Sequence, residues 1–132
     1  HGLIVYSSSW YNLPLDAAVM GQFSADEHRF GIHAGDIETS MMRALAPDCV
    51  NMAEAQNFAS TSQDRAKHYP VLGNGKSAKL GWHMQDYNPQ GAAGNAAAAT
   101  AAKGEALVHS AGEQLALLLQ ELVALPLSTV RV

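Results

Sequence analysis

The stretch HAGDIETSMMRAL, residues 33–45, decides the predicted fold. In it a histidine with glycines on either side is followed directly by a clear helical pattern of apolar residues. Its apolar side chains recur every four positions, at Ile37, Met41 and Leu45. This spacing predicts one buried face of a helix over residues 36–46. Asp36 follows a glycine and is the predicted N-cap. Pro47 ends the helix, since proline disfavours a helical residue before it.

Upstream of this helix the sequence contains a short apolar run and a polar connection. Residues 3–6, LIVY, are continuously apolar, as in strands buried on both faces of a parallel sheet, so they predict a strand. Residues 16–20 are predicted to form a short helical turn. Residues 21–31 show no periodicity and are interpreted as a polar connection.

Downstream, residues 69–72 and 79–84 are predicted to be the strands of a hairpin around the turn at residues 73–75. The longest helix is predicted over residues 98–124, where apolar residues repeat at three- and four-residue spacing, and Pro126 stops it. Those apolar residues are Leu107, Ala111, Leu115, Leu118 and Leu122. A strand, a helix, a hairpin and a long helix together indicate part of an α/β layer fold.

The composition of the 132 residues excludes several classes of function. The net charge is −4 and the eight basic residues are scattered, so no nucleic-acid partner is expected. No apolar run approaches the roughly 20 residues that span a bilayer, so no membrane partner is expected. The single cysteine, Cys49, is interpreted as a small core residue and favours a reducing, cytoplasmic location. The sequence begins at His1 instead of methionine, and we expect that an N-terminal portion is missing.

His33 and Glu38 are the residues best placed for chemistry. His33 lies in a loop directly before the predicted helix, and Glu38 lies in the first turn of that helix. The positive end of the helix dipole favours a carboxylate there and disfavours a protonated imidazole. A neutral histidine beside an ionised glutamate is suited to acid–base catalysis or to metal binding. The alternative is that His33 is a hydrogen-bonded structural residue and that Glu38 stabilises the helix.

Residues 33–48, HAGDIETSMMRALAPD, resemble the motif HAGxxETSxMLALxPxLV of the creatininase family. Two further stretches are similar to the same family, in the same order along the chain. Residues 3–10 are similar to a strand that leads to an aromatic residue near the substrate pocket. Residues 81–104 resemble a glycine-rich stretch that precedes the helix start ATAxKG. The three matches cover nearly the whole chain, and the first is the specific one.

The resemblance implies a three-layer α/β/α sandwich with a mostly parallel sheet. It also implies hydrolysis of a cyclic or linear amide by a water that one or two divalent ions activate. By the same resemblance His33 transfers protons, Glu38 is a candidate metal ligand and Trp10 lines the substrate pocket. Zinc, manganese or iron is the expected ion, a small-molecule amide is the expected substrate, and a closed homo-oligomer is the expected assembly.

The sequence departs from the family pattern in its metal ligands. The family's Glu-x-His pair, its aspartate near the N-terminus and its Asn-Gly-His loop are absent. We therefore expect residues 1–132 to be the C-terminal part of one creatininase-like domain, inactive in isolation, whose N-terminal metal-ligand half is missing. The alternative is a truncated, non-catalytic homologue that acts as an oligomeric scaffold or binding module. Ile32 stands where creatininases proper carry a glutamate, so creatinine is not the expected substrate, and formamide-type or peptide-like amides remain open.

Two other glycine patterns have simpler interpretations. Residues 73–77, GNGKS, end like a phosphate-binding loop, but Pro70 occupies the position of its first glycine, so a hairpin turn is favoured. Gly104 and Gly112 lie eight residues apart, on roughly one face of the long helix. They predict a close approach of another helix, either within the chain or between subunits.

Overall fold

The computed structural model describes residues 3–130, and His1, on which the expectation of a missing N-terminal portion rests, lies outside these residues. The α-helices are α1 (Ala17–Met20), α2 (Ala25–Phe30), α3 (Asp36–Leu45), α4 (Ser62–His68) and α5 (Ala101–Ala124). Strands β1 (Asn57–Phe58) and β2 (Gly94–Asn95) pair antiparallel. Single 3₁₀ turns lie at Trp10–Asn12, Pro47–Cys49, Met52–Glu54, Leu72–Asn74, Met84–Asp86, Ala96–Ala98 and Leu127–Thr129.

Capping residues fix the two short helices that precede the histidine loop. Asp16 Oδ1 accepts the N–H groups two and three residues later, at 2.8 and 3.0 Å, which confirms the helical turn predicted at residues 16–20. The prediction of an irregular connection at residues 21–31 is wrong, because α2 forms there. Ser24 Oγ accepts the N–H of Glu27 at 3.0 Å, and this Ser-x-x-Glu spacing is a helix-start signal.

Helix α3 forms where the sequence predicts it, with two corrections. It begins at Asp36, so Gly35, and not Asp36, is the N-cap. Its buried residues are Asp36 and Ser40, whereas Leu45 is 63% exposed. The predicted apolar buried face is therefore wrong, because α3 turns its small and polar side toward α5.

The main packing contact joins α3 to α5 with their backbones close together. A Cβ placed on Gly104 would lie 1.9 Å from the carbonyl oxygen of Ser40. Leu107, about one turn further along α5, is fully buried. The predicted close helix approach is thus confirmed at Gly104. At Gly112 a Cβ would meet no described atom within 4 Å, so the approach does not extend that far.

Helix α5 begins at Ala101, slightly later than predicted, and ends at the predicted residue, Ala124. Thr100 is its N-cap, and Thr100 Oγ1 accepts the N–H of Lys103 at 3.2 Å. The first half of the helix packs against the rest of the chain, whereas the second half exposes apolar side chains. These include Leu115, Leu117, Leu119 and Val123. None of the helices described between residues 3 and 130 is long and apolar enough to cross a membrane.

The predicted strands do not form in the described residues, although the mixture of helices and strands is compatible with the α/β class. Residues 3–6 pair with no strand, and Val5 is 78% exposed, because residues 3–130 contain no neighbouring strand for this run. Residues 69–72 and 79–84 form no hairpin. A single 3₁₀ turn leads there to Gly75, whose left-handed φ of 71° sends the chain into an irregular loop. The described sheet contains β1 and β2.

Candidate active site

The loop that carries His33 is anchored to the chain just before β2. His33 and Ala93 form an antiparallel bridge, in which Ala93 N–H donates to His33 O at 2.8 Å and His33 N–H donates to Ala93 O at 3.2 Å. Ile32 N–H also donates to Ala93 O, at 2.8 Å. Ala93 is fully buried, so the backbone of His33 is fixed to the interior while its side chain remains exposed.

Ala34, the next residue, has a backbone conformation that is unusual for a residue with a side chain. Its φ is +54°, in the left-handed region that non-glycine residues rarely adopt. Two side chains of α3 hold it there: Glu38 Oε2 accepts the N–H of Ala34 at 2.6 Å, and Thr39 Oγ1 donates to its carbonyl at 3.2 Å. Strain that the surrounding structure maintains in this way is common at functional sites.

The same carboxylate of Glu38 faces the imidazole of His33. Glu38 Oε2 lies 3.4 Å from His33 Nδ1, and the two side chains are 48% and 59% exposed. Because Glu38 Oε2 contacts both the ring and the backbone N–H of Ala34, it fixes the direction of the ring and of the turn together. His33 Nε2 lies on the opposite side of the ring from this contact. The predicted neighbours His33 and Glu38 are therefore brought together by the fold.

Ser40 connects the start of α3 to the start of α5. Ser40 Oγ donates to Asp36 Oδ1 at 3.1 Å and accepts the N–H of Thr100 at 3.1 Å. Lys103 Nζ lies 2.6 Å from both carboxylate oxygens of Asp36. Glu38 and Thr39 therefore support the histidine loop, and the next residue, Ser40, joins the start of α3 to the start of α5.

Glu27 of α2 is a buried acidic residue that is not among the residues predicted for the site. It is 6% exposed, and its two carboxylate oxygens accept backbone N–H groups from distant parts of the chain. Glu27 Oε1 accepts from Ile37 at 3.2 Å, and Glu27 Oε2 accepts from Asn95 at 2.9 Å. Glu27 therefore links α2, the first turn of α3 and β2, the three elements around the His33 loop.

Glycines make the space for this carboxylate. A Cβ on Gly35 would lie 2.1 Å from Glu27 Oε1, and a Cβ on Gly94, whose φ is +142°, would lie 2.9 Å from Glu27 Oε2. A Cβ on Gly31 would lie 2.5 Å from the carbonyl oxygen of Glu27. Gly31 and Gly35 flank the His33 loop, and both allow Glu27 to approach the backbone of that loop closely. The signal in the sequence was the Ser24-x-x-Glu27 helix start.

A groove beside His33 is open to solvent. Its volume is about 280 Å³, and it lies between the start of α3 and the segment after α3. Its lining residues are His33, Ala34, Glu38, Thr39, Met42, Cys49, Val50 and Asn51. Cys49 is exposed, so its interpretation as a core residue is wrong: it ends the 3₁₀ turn Pro47–Cys49, none of whose residues is buried.

Comparison with known proteins identifies the family. The sequence model described as "Creatininase: Creatinine amidohydrolase" matches residues 4–119. The chain belongs to the creatininase family. It is also similar to the crystal structure of a candidate creatinine amidohydrolase from Bacteroides fragilis NCTC 9343, with 32% identity and a TM-score of 0.64. That similarity covers 86% of this chain and 41% of the other chain. None of the curated proteins matches the chain.

Trp10 of this creatininase-family chain lies apart from the His33 groove. It lines another cavity, of about 290 Å³, together with Ala111, Gly112 and Leu115 of α5. The Trp10 ring packs edge-on against Tyr11, with ring centroids 5.8 Å apart. The described residues therefore do not bring Trp10 together with His33 and Glu38, and its role in lining the substrate pocket remains a prediction.

The donors among the described residues do not make a metal site by themselves. No group of three or more His, Cys, Asp or Glu side chains that could hold an ion occurs within residues 3–130. His33 and Glu38 supply two donors, and Glu38 Oε2 already accepts the N–H of Ala34. Structural zinc sites need four ligands and catalytic sites typically use three from the protein. Glu38 as a metal ligand remains a prediction.

Proposed function

We propose that this chain supplies the proton-transfer side of the active site in a creatininase-type amidohydrolase that breaks a non-peptide C–N bond of a small amide. The observation that carries the proposal is the geometry at His33. Its backbone is bridged to buried Ala93, the next residue is held at positive φ, and its ring faces Glu38 at 3.4 Å beside an open groove. These contacts hold an exposed imidazole in a fixed place beside solvent, as proton transfer by a histidine requires.

Hydrolysis of an amide adds water across the C–N bond. The water oxygen bonds to the carbonyl carbon, the C–N bond breaks with its electron pair going to nitrogen, and the nitrogen gains a proton. A neutral His33 with its Nδ1–H directed at Glu38 leaves Nε2 free to accept the proton from water and return it to the leaving nitrogen. Glu38 would orient the ring and stabilise its protonated form, as carboxylates do in comparable triads.

We further propose that a divalent ion, zinc, manganese or iron, takes part in the complete enzyme. When bound, such an ion polarises the amide carbonyl and activates water. Because the described residues do not make a metal site alone, most ligands would come from the rest of a creatininase domain. The 41% coverage of the Bacteroides fragilis neighbour supports a longer complete domain, and Glu38 is the candidate ligand from this chain.

The remaining expectations for the complete protein are proposals of the same kind. We infer that a three-layer α/β/α sandwich with a mostly parallel sheet forms when residues 3–6 gain neighbouring strands. The exposure of Leu3 and Val5, at 71% and 78%, supports this inference, since such apolar residues are normally covered. We also propose a homo-oligomer, a cytoplasmic location and a small-molecule amide as substrate.

The proposal is tested by replacing His33 in the protein that contains this chain, purified without chelators. Creatinine, formamide and small cyclic and linear amides are supplied, and release of ammonia or amine is measured. We expect His33→Asn to lower kcat by about 100-fold or more, the usual contribution of general acid–base catalysis. The matched control is His109→Asn, because His109 Nε2 lies 3.4 Å from Glu113 Oε1 in an exposed pair on α5, outside the groove.

Two results would contradict the proposal. If His33→Asn and His109→Asn hydrolyse amides equally well, His33 does not transfer the proton. If the unaltered protein, with its metal content measured, hydrolyses none of the amides, the alternative of a non-catalytic scaffold or binding module is favoured.

A further inference from the structure

A third cavity, separate from the His33 groove and from the cavity beside Trp10, is lined by positively charged side chains. Its volume is about 290 Å³, and it lies between α2, α4 and the loop around Gly75. Three of the basic residues, Arg29, Arg65 and Lys79, line it, and no aspartate or glutamate is among its lining residues. This concentration is unusual for a chain whose net charge is −4.

Both arginines are held against aromatic rings that line the same cavity. The guanidinium carbon of Arg29 lies 4.8 Å from the centre of the Phe30 ring, and that of Arg65 lies 5.1 Å from the centre of the Tyr87 ring. Arg65 Nη1 also donates to Thr61 Oγ1 at 2.9 Å. Contacts of this kind restrict a guanidinium group, so less freedom is lost when it binds a ligand.

The three cations have no carboxylate partner in the part of the chain that the structure describes. The described salt bridges involve Lys67 and Lys103 as basic residues, apart from two histidine contacts. Lys79 Nζ donates to the carbonyl of Gly75 at 2.8 Å, which holds it in place without neutralising its charge. Uncompensated positive charge in a concave site raises the local concentration of anions.

We propose that this cavity binds a small molecule carrying a phosphate or carboxylate group. The planar guanidinium groups of Arg29 and Arg65 suit the paired oxygens of such an anion, and Lys79 adds a point charge. A volume of about 290 Å³ is at the lower end of the range for small-molecule sites, which favours a small ligand.

The recognition comes from side chains and differs from that of a phosphate-binding loop. In the GNGKS segment the backbone N–H groups of Lys76 and Ser77 donate to Asn74 Oδ1, at 2.8 and 2.9 Å. These N–H groups are therefore already used within the turn. The anion site is separate from the His33 groove, because the two share no lining residue, although Ile32 of the anion site precedes His33 in the chain.

Calorimetric titration of the protein tests this proposal, with inorganic phosphate in one arm and succinate in the other. We expect binding that weakens as sodium chloride rises. Arg65→Gln and Arg29→Gln should each weaken it by about tenfold or more, as expected for loss of a charge-assisted hydrogen bond. The matched control is Lys67→Gln, which removes an exposed charge from the same helix, α4, outside this cavity. The arm with the tighter binding identifies the anion class.

Circular dichroism shows whether each variant is folded. If Arg65→Gln is unfolded, Arg29→Gln takes its place in the test. The proposal is overturned if neither anion binds the unaltered protein at millimolar concentration. It is equally overturned if Lys67→Gln weakens binding as much as a folded arginine variant, because the effect would then be one of net charge.

Discussion

Lys103 Nζ lies 2.6 Å from both carboxylate oxygens of Asp36, and this ion pair ties the first turn of α5 to the first residue of α3. The lysine side chain is 15% exposed and the aspartate side chain 6%. Ser40 Oγ donates to the same carboxylate, and the ammonium group lies 5.2 Å from the centre of the Phe23 ring. Glu38 and Thr39, which hold the loop of His33, also lie on α3. The ion pair therefore helps to keep these two side chains in position beside His33.

Removing one partner of this ion pair should destabilise the protein strongly. We expect Asp36→Asn to lower the free energy of unfolding by about 3 kcal/mol, because it leaves the Lys103 charge buried without a partner. Urea denaturation measures the change. The control is Asp64→Asn, which removes the exposed pair with Lys67 at 3.5 Å and should cost less than about 0.5 kcal/mol. Equal losses in the two variants would show that the Asp36–Lys103 pair does not hold the helices together.

The two glycines of α5 should respond in opposite directions to alanine. Gly104→Ala forces a methyl group toward the carbonyl oxygen of Ser40, which would lie 1.9 Å away, and should cost about 2–3 kcal/mol. Gly112→Ala has open space and should stabilise the helix by about 0.5–1 kcal/mol. Thermal unfolding of both variants measures these effects. A similar response in both would contradict the close approach of α3 and α5 at Gly104.

Glu27 should control the order of the His33 loop. In Glu27→Gln one carboxylate oxygen becomes an NH₂ group, which must face the N–H of Ile37 or of Asn95, and we expect a loss of about 1–3 kcal/mol. Hydrogen exchange should speed up at those two amides and along residues 32–37, while the amides around Leu107 keep their relative protection. Asp26→Asn, on the exposed side of the same helix, is the control. Uniform loss of protection along the chain would instead indicate a general effect on stability.

The spacing of apolar residues along the sequence predicts the two longest helices, α3 and α5. Helices α3 and α5 were found because their apolar residues repeat at helical spacing, and the contact between His33 and Glu38 followed from their positions at a helix start. The apolar pattern does not single out Glu27, because its burial depends on N–H donors at Ile37 and Asn95, which lie 10 and 68 residues away. A pattern of apolar residues gives no information about such a pairing.

Strands depend on neighbours in a way that helices do not. The run at residues 3–6 has the composition of a buried strand, but a strand satisfies its backbone groups only when another strand lies beside it. Residues 3–130 offer it no such neighbour. The burial of a helix face also depends on its neighbours. Helical spacing places Ile37, Met41 and Leu45 on one face of α3, but it does not show whether another element covers that face, and Leu45 is exposed.

Glu38 has a role in this chain that can be measured without any substrate or metal. Its Oε2 accepts the N–H of Ala34 at 2.6 Å and holds the residue at a φ of +54°. Glu38→Ala removes this acceptor, so hydrogen exchange at the Ala34 amide should become about tenfold faster or more, as loss of a hydrogen bond of roughly 1.5 kcal/mol predicts. The control is Glu113→Ala, which removes the partner of the exposed His109. If the Ala34 amide exchanges at the same rate in both variants, Glu38 does not hold the turn, and its place beside His33 would have to be explained by its contact with the imidazole or by ligand binding.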